Sequence, residues 1–154
     1  MSVDYRFIKA EPERVFDVLA DGWLFASWVV GASRIRDVDE GWPQRGTDIH
    51  HSVGLWPAVL DDRTTALEWD PPRRLVLKAR GWPLGAVQVT FEAKPVRGGC
   101  VVRFTEDPLG GIARFIPRFL LDAALHVRNA ETLRRLAYLA EGGAGAHGKP
   151  SPQT

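Results

Sequence analysis

At 154 residues, 45% hydrophobic and 25% charged, the chain has the size and make-up of one globular domain, which argues against disorder, a fibrous class and a second domain. Twenty Lys and Arg against nineteen Asp and Glu leave a formal net charge of +1, without the basic excess of a nucleic-acid binder. Cys100 is the single cysteine, so no intramolecular disulfide or cysteine-based zinc site can form, which fits a cytoplasmic setting; no run of about 18 apolar residues predicts a membrane span.

In chain order, Val3, Tyr5 and Phe7 alternate with Asp4, Arg6 and Ile8, predicting an opening strand rather than the continuous apolar stretch of an export signal. Glu11-Pro12-Glu13 reads as a helix entry, because proline is tolerated in the first turn and acids suit the positive end of the helix dipole. Val15, Phe16, Val18 and Leu19 supply the buried face. Asp21-Gly22 ends that helix, and Trp23 to Val30 predicts a second short one stopping at Gly31.

From Ala32 to Asp107 short segments separated by Gly, Pro and Asp predict an antiparallel meander. Strands are expected near 32–38, 46–55, 63–69, 74–80, 85–94 and 99–106. Val87, Val89 and Phe91 alternating with Gln88, Thr90 and Glu92 imply one buried and one wet face. Pro71-Pro72 and Gly98-Gly99 are turn signals. Phe115 to Glu141 reads as a helix interrupted only by Pro117 and stopped by Gly142-Gly143, with a sheet-facing stripe of Phe119, Ala123, Val127, Ala130, Leu133 and Ala137. Arg128, Glu131 and Arg135 are expected on the opposite, solvated face. Residues 1–141 are expected to form one domain, and 142–154, rich in small residues and proline, a flexible tail.

Strand, two short helices, six strands and a long helix resemble the START-like (SRPBCC) superfamily, which includes polyketide cyclases, lipid-transfer domains and plant pollen-allergen proteins. The carriers are Ala10-Glu11-Pro12-Glu13-Arg14-Val15-Phe16, Trp28, Trp69-Asp70-Pro71-Pro72-Arg73-Arg74-Leu75, Gly98-Gly99-Cys100-Val101-Val102, and Asn129-Ala130-Glu131-Thr132-Leu133-Arg134-Arg135-Leu136. The resemblance implies an α+β helix-grip fold, in which a curved antiparallel sheet of about seven strands wraps the long C-terminal helix. It also implies a cavity between helix and sheet, without a shared catalytic motif.

Polar side chains on otherwise apolar faces are the candidates for chemistry in such a cavity. On the third strand Ile49, His51, Val53 and Leu55 share the inward face, so His51 is a candidate pocket donor or general acid/base; the plainer reading is a satisfied histidine. His50 then faces away, and the adjacent pair cannot chelate a metal jointly. His126 falls near the expected stripe and could meet His51 across the cavity, or simply occupy its rim. Glu106 continues the inward series Val102, Phe104 towards the mouth, with Arg103 and Thr105 facing out; it is a candidate base, or a solvated strand-end acid.

The expected ligand contacts add Val89, Phe91 and Phe104 from the sheet and Phe119, Ala123, Val127 and Ala130 from the helix. Alanines in that stripe leave room beneath it. Trp42, Trp56 and Trp82 each precede proline and suit strand ends, where Trp82 is a candidate for the mouth. Gly143 to Gly148 matches a dinucleotide-binding pattern but follows a helix, where the pattern has no meaning. No metal or cofactor is expected. The reading that follows is a carrier of a small hydrophobic molecule, such as a lipid, polyketide or aromatic compound. The alternatives are a cyclase or dehydratase using His51, His126 or Glu106 as general acid/base, and a partner-binding domain with a filled cavity.

Overall fold

The computed structural model describes residues 1–55, 57–81, 85–111 and 115–145. Strand β1 (Ser2–Ile8) leads into helix α1 (Pro12–Ala20), a 3-10 turn (Gly22–Leu24) and a one-turn helix α2 (Phe25–Trp28). Six strands follow: β2 (Ala32–Val38), β3 (Asp48–Leu55), β4 (Ala58–Asp70), β5 (Arg74–Gly81), β6 (Gly85–Val96) and β7 (Gly99–Pro108). Helix α3 (Arg118–Glu141) closes the fold.

All seven strands form one antiparallel sheet in the order β1-β7-β6-β5-β4-β3-β2. The first two strands therefore lie at opposite edges, and α1 and α2 carry the chain between them. Proline begins α1 where its missing N–H costs nothing, and Val15, Phe16, Val18 and Leu19 face inward. Asp21 ends that helix and its carboxylate accepts the Trp23 N–H at 3.1 Å, starting the next turn. Gly22 is required there, because a Cβ would lie 2.6 Å from the Val38 side chain.

On the outer face of the sheet, Arg74 bridges Glu68 and Glu92 at 3.3 and 2.9 Å, and Arg103 meets Glu92 at 3.3 Å. The inner face meets α1, α2 and α3 in one core that includes Ile8, Phe16, Trp28, Leu75, Phe91, Val102, Leu133 and Leu136.

The structure fixes the faces of the two strands nearest α3. In β1 the inward residues are Ser2, Asp4 and Ile8, while Tyr5 and Phe7 are exposed on the outer face. The choice of face is made by α3, whose Asn129 reaches Asp4 through Nδ2 at 3.3 Å. In β7 Thr105 is buried although it lies opposite the Phe104 face, between Val3 of β1 and Thr90 of β6.

Helix α3 begins at Arg118 rather than Phe115, because Pro117 is its extended cap, with φ −52° and ψ 128°. It runs for 24 residues, about 36 Å. Its buried side is Asn129, Thr132, Leu133, Leu136, Ala137 and Ala140. That face lies about a quarter turn from the expected stripe at about 100° per residue, and only Leu133 and Ala137 belong to both. Past the helix, Ala144 N–H bonds to the Leu139 carbonyl at 2.9 Å, and Gly145 lies so close to α1 that a Cβ would come within 2.5 Å of Asp17 backbone atoms. The rest of the expected tail lies outside the described residues, as do Trp56 and Trp82.

Candidate functional site

Under the middle of α3 the inner wall of the sheet stays uncovered enough to leave a cavity of about 330 Å³. Its floor comes from alternate residues of five strands: His51 and Val53, Thr64, Leu77 and Ala79, Val87, Val89 and Phe91, and Phe104. Register explains the continuity, since Leu77 pairs with Val89, Ala79 with Val87 and Phe91 with Phe104. Phe25, Trp28 and residues 29–32 form one side, Arg128 and Thr132 of α3 the other, and exposed Arg80 marks the edge.

The aromatic wall is interlocked. Trp28 meets Phe25 and Phe91 edge-on with ring centroids 5.1 and 5.5 Å apart, and Phe91 meets Phe104 at 4.9 Å. Such tilted and edge contacts hold the rings in defined positions.

His51 is 3% exposed and its ring packs on Phe25 at 5.2 Å. Nε2 shares a hydrogen bond of 2.9 Å with Thr64 Oγ1. Burial pushes its pKa below the usual histidine range; Asp62 opposes this, while Arg36 and His50 reinforce it. The imidazole is therefore neutral near pH 7, able to donate from one nitrogen and accept at the other. His50, on the other face of β3, instead reaches Asp39 at 3.6 Å.

Glu106 is 3% exposed and stands beside Val89 in the sheet, but it does not line the cavity. Arg128 Nη2 donates to both of its carboxylate oxygens, at 2.8 and 2.7 Å. Arg128 also donates to Asn129 Oδ1 at 3.4 and 3.3 Å, and Asn129 donates in turn to Asp4. The helix is thus tied to both β7 and β1 by a polar chain whose Glu106, Asn129 and Asp4 are buried. Glu106, held by a guanidinium, is no free base at the mouth, and Arg128, expected on the solvated face, is a wall of the cavity.

The remaining candidates separate. Val53, Val89, Phe91 and Phe104 line the cavity with His51, whereas Ile49 is wholly buried in the core beside it. The Leu55 side chain and Trp82 lie outside what the structure describes. Phe119, Ala123, Val127 and Ala130 are exposed on the far side of α3, with Phe119 72% and Val127 71% accessible. They follow the quarter-turn rotation of the helix. His126 turns away for the same reason and contacts the buried Asp4 carboxylate through Nδ1, so it does not meet His51. Trp42 packs towards α1, with Nε1 donating to the Leu19 carbonyl at 3.3 Å.

Sequence reasoning missed Phe25, Thr64, Leu77, Ala79, Val87, Arg128 and Thr132 as wall residues and took Trp28 as core alone. Leu77, Ala79 and Val87 carried a signal, the period-2 alternation of β5 and β6. Arg128 carried none, because an arginine on an isolated helix reads as solvated. The side chains present offer an apolar enclosure with a few fixed polar groups, the usual composition of a small-molecule site.

A family model described as polyketide cyclase / dehydrase and lipid transport matches residues 2–141. No curated protein matches the sequence. Among solved structures, a protein from Rhodobacter sphaeroides superposes with a TM-score of 0.71 at 20% identity, covering 91% of each chain. The di-domain aromatase/cyclase StfQ of the steffimycin biosynthetic pathway gives 0.66 at 16% identity, covering 91% of this chain and 50% of StfQ. Ara h 8.0201 gives 0.69 at 12% identity, covering 91% of this chain and 96% of that one. At these identities the likeness is one of fold. No helix among the described residues is long and apolar enough to cross a membrane.

Proposed function

Because the chain belongs to the polyketide cyclase / dehydrase and lipid transport family, we propose that it binds one small, mainly apolar molecule in the cavity beneath α3. The observation that supports this reading is the partly open, 330 Å³ pocket lined by Phe25, Trp28, Leu77, Val89, Phe91 and Phe104. Its own aromatics surround this space without filling it, which disfavours the filled-cavity alternative. Each Å² of apolar ligand surface removed from water contributes about 25 cal/mol, offset by the cost of immobilising the ligand. The volume lies at the small end of the about 300–1,000 Å³ range of ligand sites, which favours a compact aromatic or single-chain compound over a two-chain lipid.

The neutral fluorophore N-phenyl-1-naphthylamine tests this directly. Wild type is expected to enhance and blue-shift its emission, and Val87→Trp, which fills the wall, to abolish the effect while keeping the fold. Binding unaffected by Val87→Trp would place the dye elsewhere and remove the support. Native mass spectrometry of protein from its own host would then identify the natural occupant.

A second reading, acid–base chemistry of the cyclase or dehydratase type, is favoured by His51 alone. A neutral buried imidazole bonded to Thr64 in the cavity wall is equipped to take a proton from a bound carbon acid. His126 and Glu106 do not share that position. Turnover of a polyketide-like substrate that is unchanged in His51→Ala would end this reading.

A further inference from the structure

A second opening adjoins the cavity under the same helix. Met1, Pro108, Ile116, Leu121 and Leu125 line a groove of about 380 Å³, with exposed Arg118 and Asp122 beside them. Groove and cavity follow one another along both elements that enclose them. On α3, Leu121, Leu125, Arg128 and Thr132 fall at the three- and four-residue spacing of one helix face; the first two line the groove and the last two the cavity. On β7, Phe104, Glu106 and Pro108 alternate onto the inner face; Phe104 lines the cavity, Pro108 the groove, and Glu106 neither.

The junction between the two spaces is therefore the place of one ion pair. Arg128 reaches from the helix to Glu106 on the sheet at 2.8 and 2.7 Å, and through Asn129 the polar chain continues to Asp4 on the edge strand β1. A carbon chain lying in the cavity and extending towards the start of α3 meets this charged bridge before it meets Leu125. Passing it would part a buried carboxylate from its cation, which costs more than the burial of the next few methylenes returns.

We infer that the Arg128–Glu106 bridge sets the length of the ligand: it divides the space beneath α3 and stops an apolar chain at the cavity, and the groove lined by Leu121 and Leu125 is the subsite that a longer chain enters once the bridge is gone. The inference rests on the binding function proposed above and specifies the size class of its ligand. Each space alone is at the small end of ligand sites, whereas the two joined would hold a long single chain.

Displacement of N-phenyl-1-naphthylamine by 1-hexanol, 1-octanol, 1-decanol, 1-dodecanol and 1-tetradecanol tests the inference. In wild type, competition is expected to improve by about fourfold per added methylene while the cavity fills, and then to stop improving within the series. The double variant Arg128→Met with Glu106→Leu replaces the pair by apolar side chains of similar size, a change that buried ion pairs commonly tolerate. With folding checked by circular dichroism melting, it should bind the first alcohol beyond the wild-type limit at least about tenfold more tightly than wild type does. Adding Leu125→Trp, which fills the groove, should restore the wild-type limit. Arg128→Gln with Glu106→Gln, an uncharged pair, serves if the first double variant does not fold.

Steady improvement through 1-tetradecanol in wild type would overturn the inference while leaving the binding function standing. So would an unchanged length limit in a folded double variant, or an extended limit that survives Leu125→Trp. Failure of wild type to bind the fluorophore at all would remove the binding function and the inference with it.

Discussion

Arg128 on α3 donates through one nitrogen, Nη2, to both carboxylate oxygens of Glu106 on β7, at 2.8 and 2.7 Å, and Glu106 is almost completely buried while Arg128 is not. This asymmetry decides which partner is the more costly to remove. It also explains how a strand-end acid and a helix-surface arginine, each unremarkable alone, come to form one pair, of which only Arg128 lines the cavity.

Arg128→Met leaves the Glu106 carboxylate buried without its cation and is expected to cost about 3 kcal/mol, the low end for a broken buried pair because Arg128 is partly solvated. Glu106→Gln retains an acceptor for an arginine that can still reach water, and should cost less, about 1–2 kcal/mol. Urea denaturation of both variants measures the difference; a larger loss in Glu106→Gln would contradict the assigned burial.

The phase of α3 is checked by substitutions on its two sides. Phe119→Ser and Val127→Thr lie on the exposed side and should change stability by less than about 0.5 kcal/mol. Leu133→Ala and Leu136→Ala open cavities in the core and should each cost about 2–5 kcal/mol. Thermal melts of the four variants would separate into two groups.

His51 makes stability depend on pH. Its folded pKa is depressed by burial, with Asp62 opposing and Arg36 and His50 adding to the effect, so the unfolded chain binds its proton more readily. The contribution of the neutral ring is fully present above the unfolded pKa of about 6.5 and is lost as pH falls from there through the folded value. The melting temperature of wild type should therefore fall more steeply between about pH 7 and pH 5 than that of His51→Phe. Parallel pH profiles would show that the ring is not desolvated.

Cys100 is fully buried, and burial, aided by the charge of Glu13, pushes its thiol up to about 11. The reactive thiolate is scarce and shielded. Native protein should resist a thiol-specific disulfide reagent and react with one equivalent once unfolded in concentrated guanidinium; rapid reaction in the native state would contradict the burial.

Much of the frame was legible because its signals are local. Alternation in Val87, Val89 and Phe91 depends on the two-residue period of a strand, and Pro12 and Asp21 mark helix ends by backbone chemistry that needs no distant partner. The phase of α3 was not legible in the same way. Phe119, Ala123, Val127 and Ala130 make an apolar stripe as convincing as the true one, which carries Asn129 and Thr132 among its leucines and alanines. Only the polar partners Asp4 and Glu106, distant in the sequence, make that second face the buried one. The direction of β1 was hidden for the same reason, since Asp4 faces inward only because Asn129 is there to meet it.

By itself the amino-acid sequence determined the order of elements, the family and the inward placement of His51, because each rests on short-range periodicity or on motif order along the chain. Tertiary structure alone decided that Arg128 rather than His126 borders the cavity, that Glu106 is its counter-ion, and that Trp28 and His51 each have a buried polar atom without a protein partner among the described residues. These are pairings between residues far apart in sequence, and the free energy that selects them arises from burial and charge compensation, which exist only once the helix has been laid against the sheet.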